Sequence, residues 1–191
     1  MTAKTHLLAG ILCGELICSA AGFSQAELRL SAWTVASAAF GAVLPDIDHT
    51  GSKVSTLNRS TKNSSWMLGR IFHHRGPIHS PAFLALLLLA FWLCGALNSG
   101  SRILIAEAFS AGWLSHLVLD TFNSRGILWL WPFGKKRFHL AKIKSGAFGE
   151  WILAVLLLIL IITYSSAVPA LRLSLAEIRD SAAALGHIAE K

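Results

Sequence analysis

Charge is scarce in this chain. Asp, Glu, Lys and Arg together occupy 14% of the 191 positions, against about 25% in an average soluble domain. Apolar residues fill 54%, so the deficit points to a membrane protein and away from a soluble domain with a polar surface. Cysteine is scarcer still. Cys13, Cys18 and Cys94 all lie in apolar runs and no Cys-x-x-Cys pair occurs, which excludes a disulfide framework and a zinc knuckle. A cleavable leader is not expected either. Only Lys4 precedes the first apolar run, and no small-x-small cleavage site comes before Phe23, so that run is read as a retained span.

Acid is rarer than base, with ten Asp and Glu against 17 Lys and Arg and a net charge of +7. The bases cluster in two polar segments. In a chain this apolar such clusters fit cytoplasmic loops and anionic lipid headgroups, and no nucleic-acid partner is expected. The length suits one membrane-embedded domain, residues 1–168, followed by a tail, 169–191. In that tail Leu171, Leu175, Ile178, Ala182, Leu185 and Ile188 recur at helical spacing, the pattern of an amphipathic helix lying on a membrane or against a bundle.

Five apolar runs stand out: His6 to Phe23, Leu28 to Leu44, Pro81 to Leu97, Ile103 to Phe122 and Trp151 to Val168. The predicted fold is therefore all-α, an integral membrane bundle of about five apolar helices with a C-terminal amphipathic helix. The second run is short and rich in Ala, Gly and Ser, which suits close helix–helix contact. Pro81 stands at a helix start, where its missing N–H does no harm. With the N-terminus in the cytoplasm, Lys4 and the bases of both polar segments lie inside, leaving Arg29, Arg102, Arg172, Arg179 and Lys191 outside. The positive-inside rule favours that arrangement.

The same topology gathers the ligand-type residues. His6 begins the first run; Asp46, Asp48 and His49 end the second; His73, His74 and His79 lead into the third; His116 and Asp120 end the fourth. Four runs thus deliver imidazoles and carboxylates to one face at one depth, although each group alone has a blander reading as a cap, an ion pair or a solvated loop. His116 and Asp120 are spaced i,i+4, which puts both on one helix face. Oxygen and nitrogen donors without thiolate fit a divalent metal, zinc first, with manganese or iron as alternatives and magnesium less suited. The supply of donors allows one or two ions. Glu15 and Glu107 lie nine residues from His6 and His116, about 13 Å along a helix, and are expected to be buried, protonated or hydrogen-bonded acids. Trp129, Trp131, Phe133 and Trp151 are expected to form an interfacial aromatic belt.

The ordered set Thr5-His6, Leu44-Pro-Asp-Ile-Asp-His49, His74-Arg-Gly-Pro-Ile-His79-Ser80, Gly112-x-x-Ser-His116-x-x-x-Asp120 and Leu130-Trp-Pro-Phe133 resembles the YdjM family. One departure is Ile78, where the family usually has Thr. The resemblance implies a bacterial inner-membrane, metal-dependent hydrolase related to a LexA-regulated, SOS-response protein. The His-x-x-x-Asp element is also similar to that of zinc-dependent phospholipase C and related nucleases, which suggests phosphoester chemistry. On this reading the metal ligands come from His6, Asp46, Asp48, His49, His74, His79, His116 and Asp120. Asp48 serves as ligand or general base, and Arg75, helped by Lys135, Lys136 and Arg137, holds an anionic or phospholipid substrate. The competing expectation is a non-enzymatic metal-binding membrane protein whose basic loops bind lipid or a partner.

Overall fold

The computed structural model describes residues 1–22, 28–48 and 76–165, with the side chains of Leu28, Ile47 and Asp48 excluded. Five α-helices carry the described chain: α1 (Ala3–Ala20), α2 (Leu28–Val43), α3 (Pro81–Leu93), α4 (Gly100–Thr121) and α5 (Phe148–Ser165). Short 3-10 turns follow α2 (Leu44–Asp48) and precede α3 (Pro77–His79). Extended pairing among the described residues is limited to isolated bridges, Asn123 with Ile143 and Ile127 with Phe138. The fold is an all-α bundle, as composition and hydropathy predict.

Three of these helices, α1, α4 and α5, are long and apolar enough to cross a membrane. Five helices are described, as expected, and the other two are shorter. Helix α2 has 16 residues and α3 has 13, so at about 1.5 Å per residue they reach about 24 and 20 Å, short of a hydrocarbon core about 30 Å thick. Helix α3 begins at Pro81 as expected, with the Ser80 hydroxyl accepting the Phe83 N–H as its cap. It stops four residues before Leu97. Gly95 takes a left-handed φ of 69°, and the N–H groups of Gly95 and Ala96 close back on the Trp92 and Phe91 carbonyls. That is a Schellman stop, and it ends the helix although the apolar run continues.

Small residues decide how α1, α2 and α4 meet. A Cβ on Gly112 would overlap the Ala38 carbonyl, one on Gly41 would overlap the Phe109 carbonyl, and one on Gly10 would press into Ala42 and Ala38. The Gly112 and Gly41 contacts are backbone against backbone, the closest approach two helices can make. The Ser37 hydroxyl adds a hydrogen bond to the Ile105 carbonyl at 3.0 Å. Around this wedge Ile78, Leu84, Phe109, Trp113, Leu117 and Ile127 form the main apolar core. Ile78, the departure from the family motif, is therefore a core residue, 3% exposed. Met1, Ala9 and Leu119 form a smaller cluster, against which Leu153 and Leu157 of α5 pack.

The segment between α4 and α5 folds back onto the end of α4. Ile127 and Phe138 exchange both backbone hydrogen bonds, the Leu140 N–H reaches the Thr121 carbonyl at 2.8 Å, and Trp129 Nε1 donates to Thr121 Oγ1 at 2.8 Å. Trp129 thus turns inward against the core, while Phe133 and Trp151 are exposed at 97% and 64%. The aromatic belt is smaller than expected because Trp129 has an indole N–H to satisfy and a buried hydroxyl to satisfy it. The last three residues of the expected fifth run and the whole tail 169–191 lie outside the described residues.

Candidate metal centre

The first turn of α1, the turn after α2, the turn before α3 and the last turns of α4 all end at one side of the bundle. His6, His79, His116 and Asp120 are wholly buried there, and Asp46 is 13% exposed. Local sequence explains each placement. His6 follows Thr5 one turn into α1. Pro45 turns the chain out of α2 and carries Asp46 over the site. His79 is held just ahead of the Ser80 cap, whose hydroxyl also donates to the Pro77 carbonyl at 2.6 Å. His116 lies one turn beyond Gly112, and Asp120 one turn further, so the close approach of α4 to α2 sets both.

His116 is the centre of the arrangement. Its Nδ1 donates to the Ala42 carbonyl at 2.7 Å. Ala42 is in the last turn of α2, where carbonyls lack helical partners, and Pro45 three residues on has no N–H to offer it. That bond assigns the Nδ1–H tautomer and leaves the Nε2 lone pair facing the site, the way a backbone carbonyl orients a ligating histidine. His116 Nε2 is 3.8 Å from an oxygen of Asp46 and 3.8 Å from one of Asp120. His79 Nε2 lies 3.7 Å from Asp46 Oδ1, and His6 Nε2 lies 3.5 Å from Asp120 Oδ1. The His6 ring stacks on His116 with centroids 3.8 Å apart, and His79 tilts toward it at 5.1 Å.

These separations fit a metal. Hydrogen bonds of this type run from about 2.7 to 3.2 Å, shorter than any of the four. Tetrahedral donors held about 2.1 Å from zinc stand about 3.4 Å from each other. His116 Nε2 and His6 Nδ1 are buried without hydrogen-bond partners, which is costly for groups with no other use. Two donor sets satisfy the geometry, His6 with His116 and Asp120, and Asp46 with His79 and His116, each with its donor atoms within 4.8 Å of one another. Burial pushes the Asp46 carboxyl up, but the His79 imidazole beside it and the nearby His116 and His6 outweigh this and hold it well below the usual carboxylate range. Asp46 is therefore ionised at neutral pH, as a ligand must be.

Of the eight expected ligands, five meet at this centre. His49 and His74 lie outside the described residues, as do His73, Arg75 and the side chain of Asp48. Glu107 is exposed and corrects the expectation of a buried acid; its position on α4 faces away from α2. Glu15 is half-buried and accepts a hydrogen bond from the Ser165 hydroxyl at 3.4 Å. His139 is exposed in the segment after α4 and takes no part. Two groups around the centre carry no signal of this role in the sequence. The Met1 ammonium pairs with Asp120 Oδ1 at 2.5 Å, and Glu150, at the start of α5, binds the first turn of α1. A lone acid opening an apolar run was the only trace of the latter.

A family model described as "YdjM inner membrane protein" matches residues 1–178. The chain is 31% identical over 150 residues to YvsG of Bacillus subtilis (strain 168), covering 78% of this chain and 85% of that protein. It is 33% identical over 141 residues to the inner membrane protein YdjM of Escherichia coli (strain K12), covering 73% of this chain and 69% of that one, with the same figures for YdjM of Shigella flexneri. No solved structure matches significantly. The matched region spans every described helix and all five residues of the buried His/Asp centre, and the chain belongs to the YdjM family of inner membrane proteins.

Proposed function

We propose that the chain is a metal-dependent hydrolase of phosphoester substrates, lipid-linked ones foremost, with its site at the cytoplasmic face of the inner membrane. The observation that carries this reading is the convergence of two further imidazoles and two carboxylates on His116. His6, Asp46, His79, His116 and Asp120 would hold the ion, zinc before manganese or iron because the donors are nitrogen and oxygen without thiolate. A divalent ion so held would supply Lewis acidity to a phosphoryl oxygen and lower the pKa of a bound water toward about 7.

The chain's own residues supply the rest. The Ala42 carbonyl keeps His116 in the ligating tautomer. Asp46 is the most exposed described donor, so substrate would meet the centre on its side, and either Asp48 or Asp46, where Asp46 is not a ligand, would take the proton of the attacking water. Arg75 and the exposed Lys135, Lys136 and Arg137 hold the anionic group. The exposed aliphatic side chains of α3 and α5 are the expected neighbours of an acyl tail.

One observation favours a second reading, a closed and non-catalytic metal centre. Four of the five donors have no exposure, and Met1 covers one oxygen of Asp120. Metal analysis of detergent-purified protein and a panel of phosphoester and phospholipid substrates separate the two. Metal and turnover that both vanish in His116→Ala and Asp120→Ala support the hydrolase. Metal without turnover supports the closed centre, and wild-type metal content in both variants sinks the assignment.

A further inference from the structure

Glu150 is a buried acid that the centre does not use as a donor. It is 3% exposed at the start of α5, and its two oxygens do different jobs. One accepts the Gly146 N–H at 2.5 Å, which closes the turn that leads into α5. The other faces away from its own helix. It accepts the Thr5 hydroxyl at 2.7 Å and the Thr2 N–H. That turn needs only the first oxygen. The second ties α5 to the first turn of α1, next to His6.

His6 needs such an anchor more than His116 does. His116 has the Ala42 carbonyl to fix its ring. His6 has no counterpart: its Nδ1 is buried without a hydrogen-bond partner, and only its stacking on His116 and its 3.5 Å approach to Asp120 orient the ring. Ring orientation therefore depends on where the backbone at residue 6 is held. Thr5 precedes it directly, is 1% exposed and spends its hydroxyl on Glu150. We propose that Glu150 is a positioning residue for the metal centre, acting through Thr5 to hold His6 as a ligand. The inference rests on the metal reading above.

The test is a double-mutant cycle on the full-length protein in detergent, reading Co(II) affinity by chelator competition and the visible Co(II) spectrum. Glu150→Ala should weaken Co(II) binding about 10–100-fold, the usual cost of removing an outer partner of a ligand, and shift the spectrum toward that of His6→Ala. Glu150→Gln, which keeps one acceptor oxygen, should recover part of the loss. Added to His6→Ala, Glu150→Ala should cost nothing further, because its route to the metal is already gone. Thr5→Val leaves the turn into α5 intact and should reproduce the spectral shift, so the question stays open to measurement even where Glu150→Ala fails to fold. Losses that simply add in the double variant, or a wild-type spectrum in Thr5→Val, overturn the positioning role while leaving the metal centre standing. A wild-type protein that binds no Co(II) overturns both.

Discussion

Helices α4 and α5 are both long and apolar enough to cross a membrane, yet 44% of the spanning stretch of α4 is buried within the protein against 6% of that of α5. Their residues explain the contrast. Helix α4 carries Gly112, Ala108 and Ser110 among its large side chains and lies backbone to backbone against α2. Helix α5 presents Trp151, Ile152, Val155, Leu156, Ile159, Leu160 and Ile162 outward, and touches the bundle mainly through Leu153 and Leu157. In a bilayer, large aliphatic side chains gain little from leaving lipid for protein, whereas small ones let helices approach. Ligand placement follows that division: two donors are on α4, and none of the five is on α5. What α5 contributes is one acid at its first turn.

Gly112→Val attacks this contrast most directly. It places two methyl groups where α4 meets the Ala38 carbonyl and must push the helices apart, at a cost of about 1–3 kcal/mol or more. His116 then loses the Ala42 carbonyl, and metal content measured by mass spectrometry should fall to background.

Metal removal should come next in size. An ion that binds only the folded protein at about 100 times its dissociation constant stabilises it by about 2.7 kcal/mol, so chelation should lower the thermal midpoint of the wild type. It should leave His116→Ala unmoved, and equal midpoints with and without chelator in the wild type would contradict a bound ion. Ser80→Ala removes the α3 cap, worth about 1 kcal/mol, and loosens the turn carrying His79; a several-fold loss of metal affinity by chelator competition is expected. Leu156→Ala, on the outer face of α5, should change stability by less than about 0.5 kcal/mol and leave metal affinity at the wild-type value. A Leu156→Ala effect as large as that of Gly112→Val would erase the distinction between the two helices.

Much of the centre is legible in the sequence because ligand-type residues are expensive inside apolar runs and were found at run ends. His6, Asp46, His79, His116 and Asp120 stand out on that ground alone, and alternation of the helices brings their ends together. What was not legible depends on partners distant in the chain. Gly112 and Gly41 look like ordinary small residues until the carbonyls of Ala38 and Phe109 are seen against them. Gly95 ends α3 by a backbone conformation that hydropathy does not register, which is why the run to Leu97 overstated the helix. The neighbours of Trp129 point to the interface, but the Thr121 hydroxyl draws its indole inward. Glu150 stands at the start of an apolar run, and its bond to Thr5 on α1 is not visible from that position.

The hydrogen bond from His116 Nδ1 to the Ala42 carbonyl also limits stoichiometry. A neutral imidazole has one lone pair, and with Nδ1 protonated that pair is on Nε2. Both donor sets include His116, so they cannot each take an ion through it at once. Asp46 with His79 and Asp120 with His6 are then rival claimants on a single ligand. An ion drawn toward one pair would be drawn away from the other, so only one ion at a time could bind through His116, at the seam between the α2 and α4 sides of the bundle.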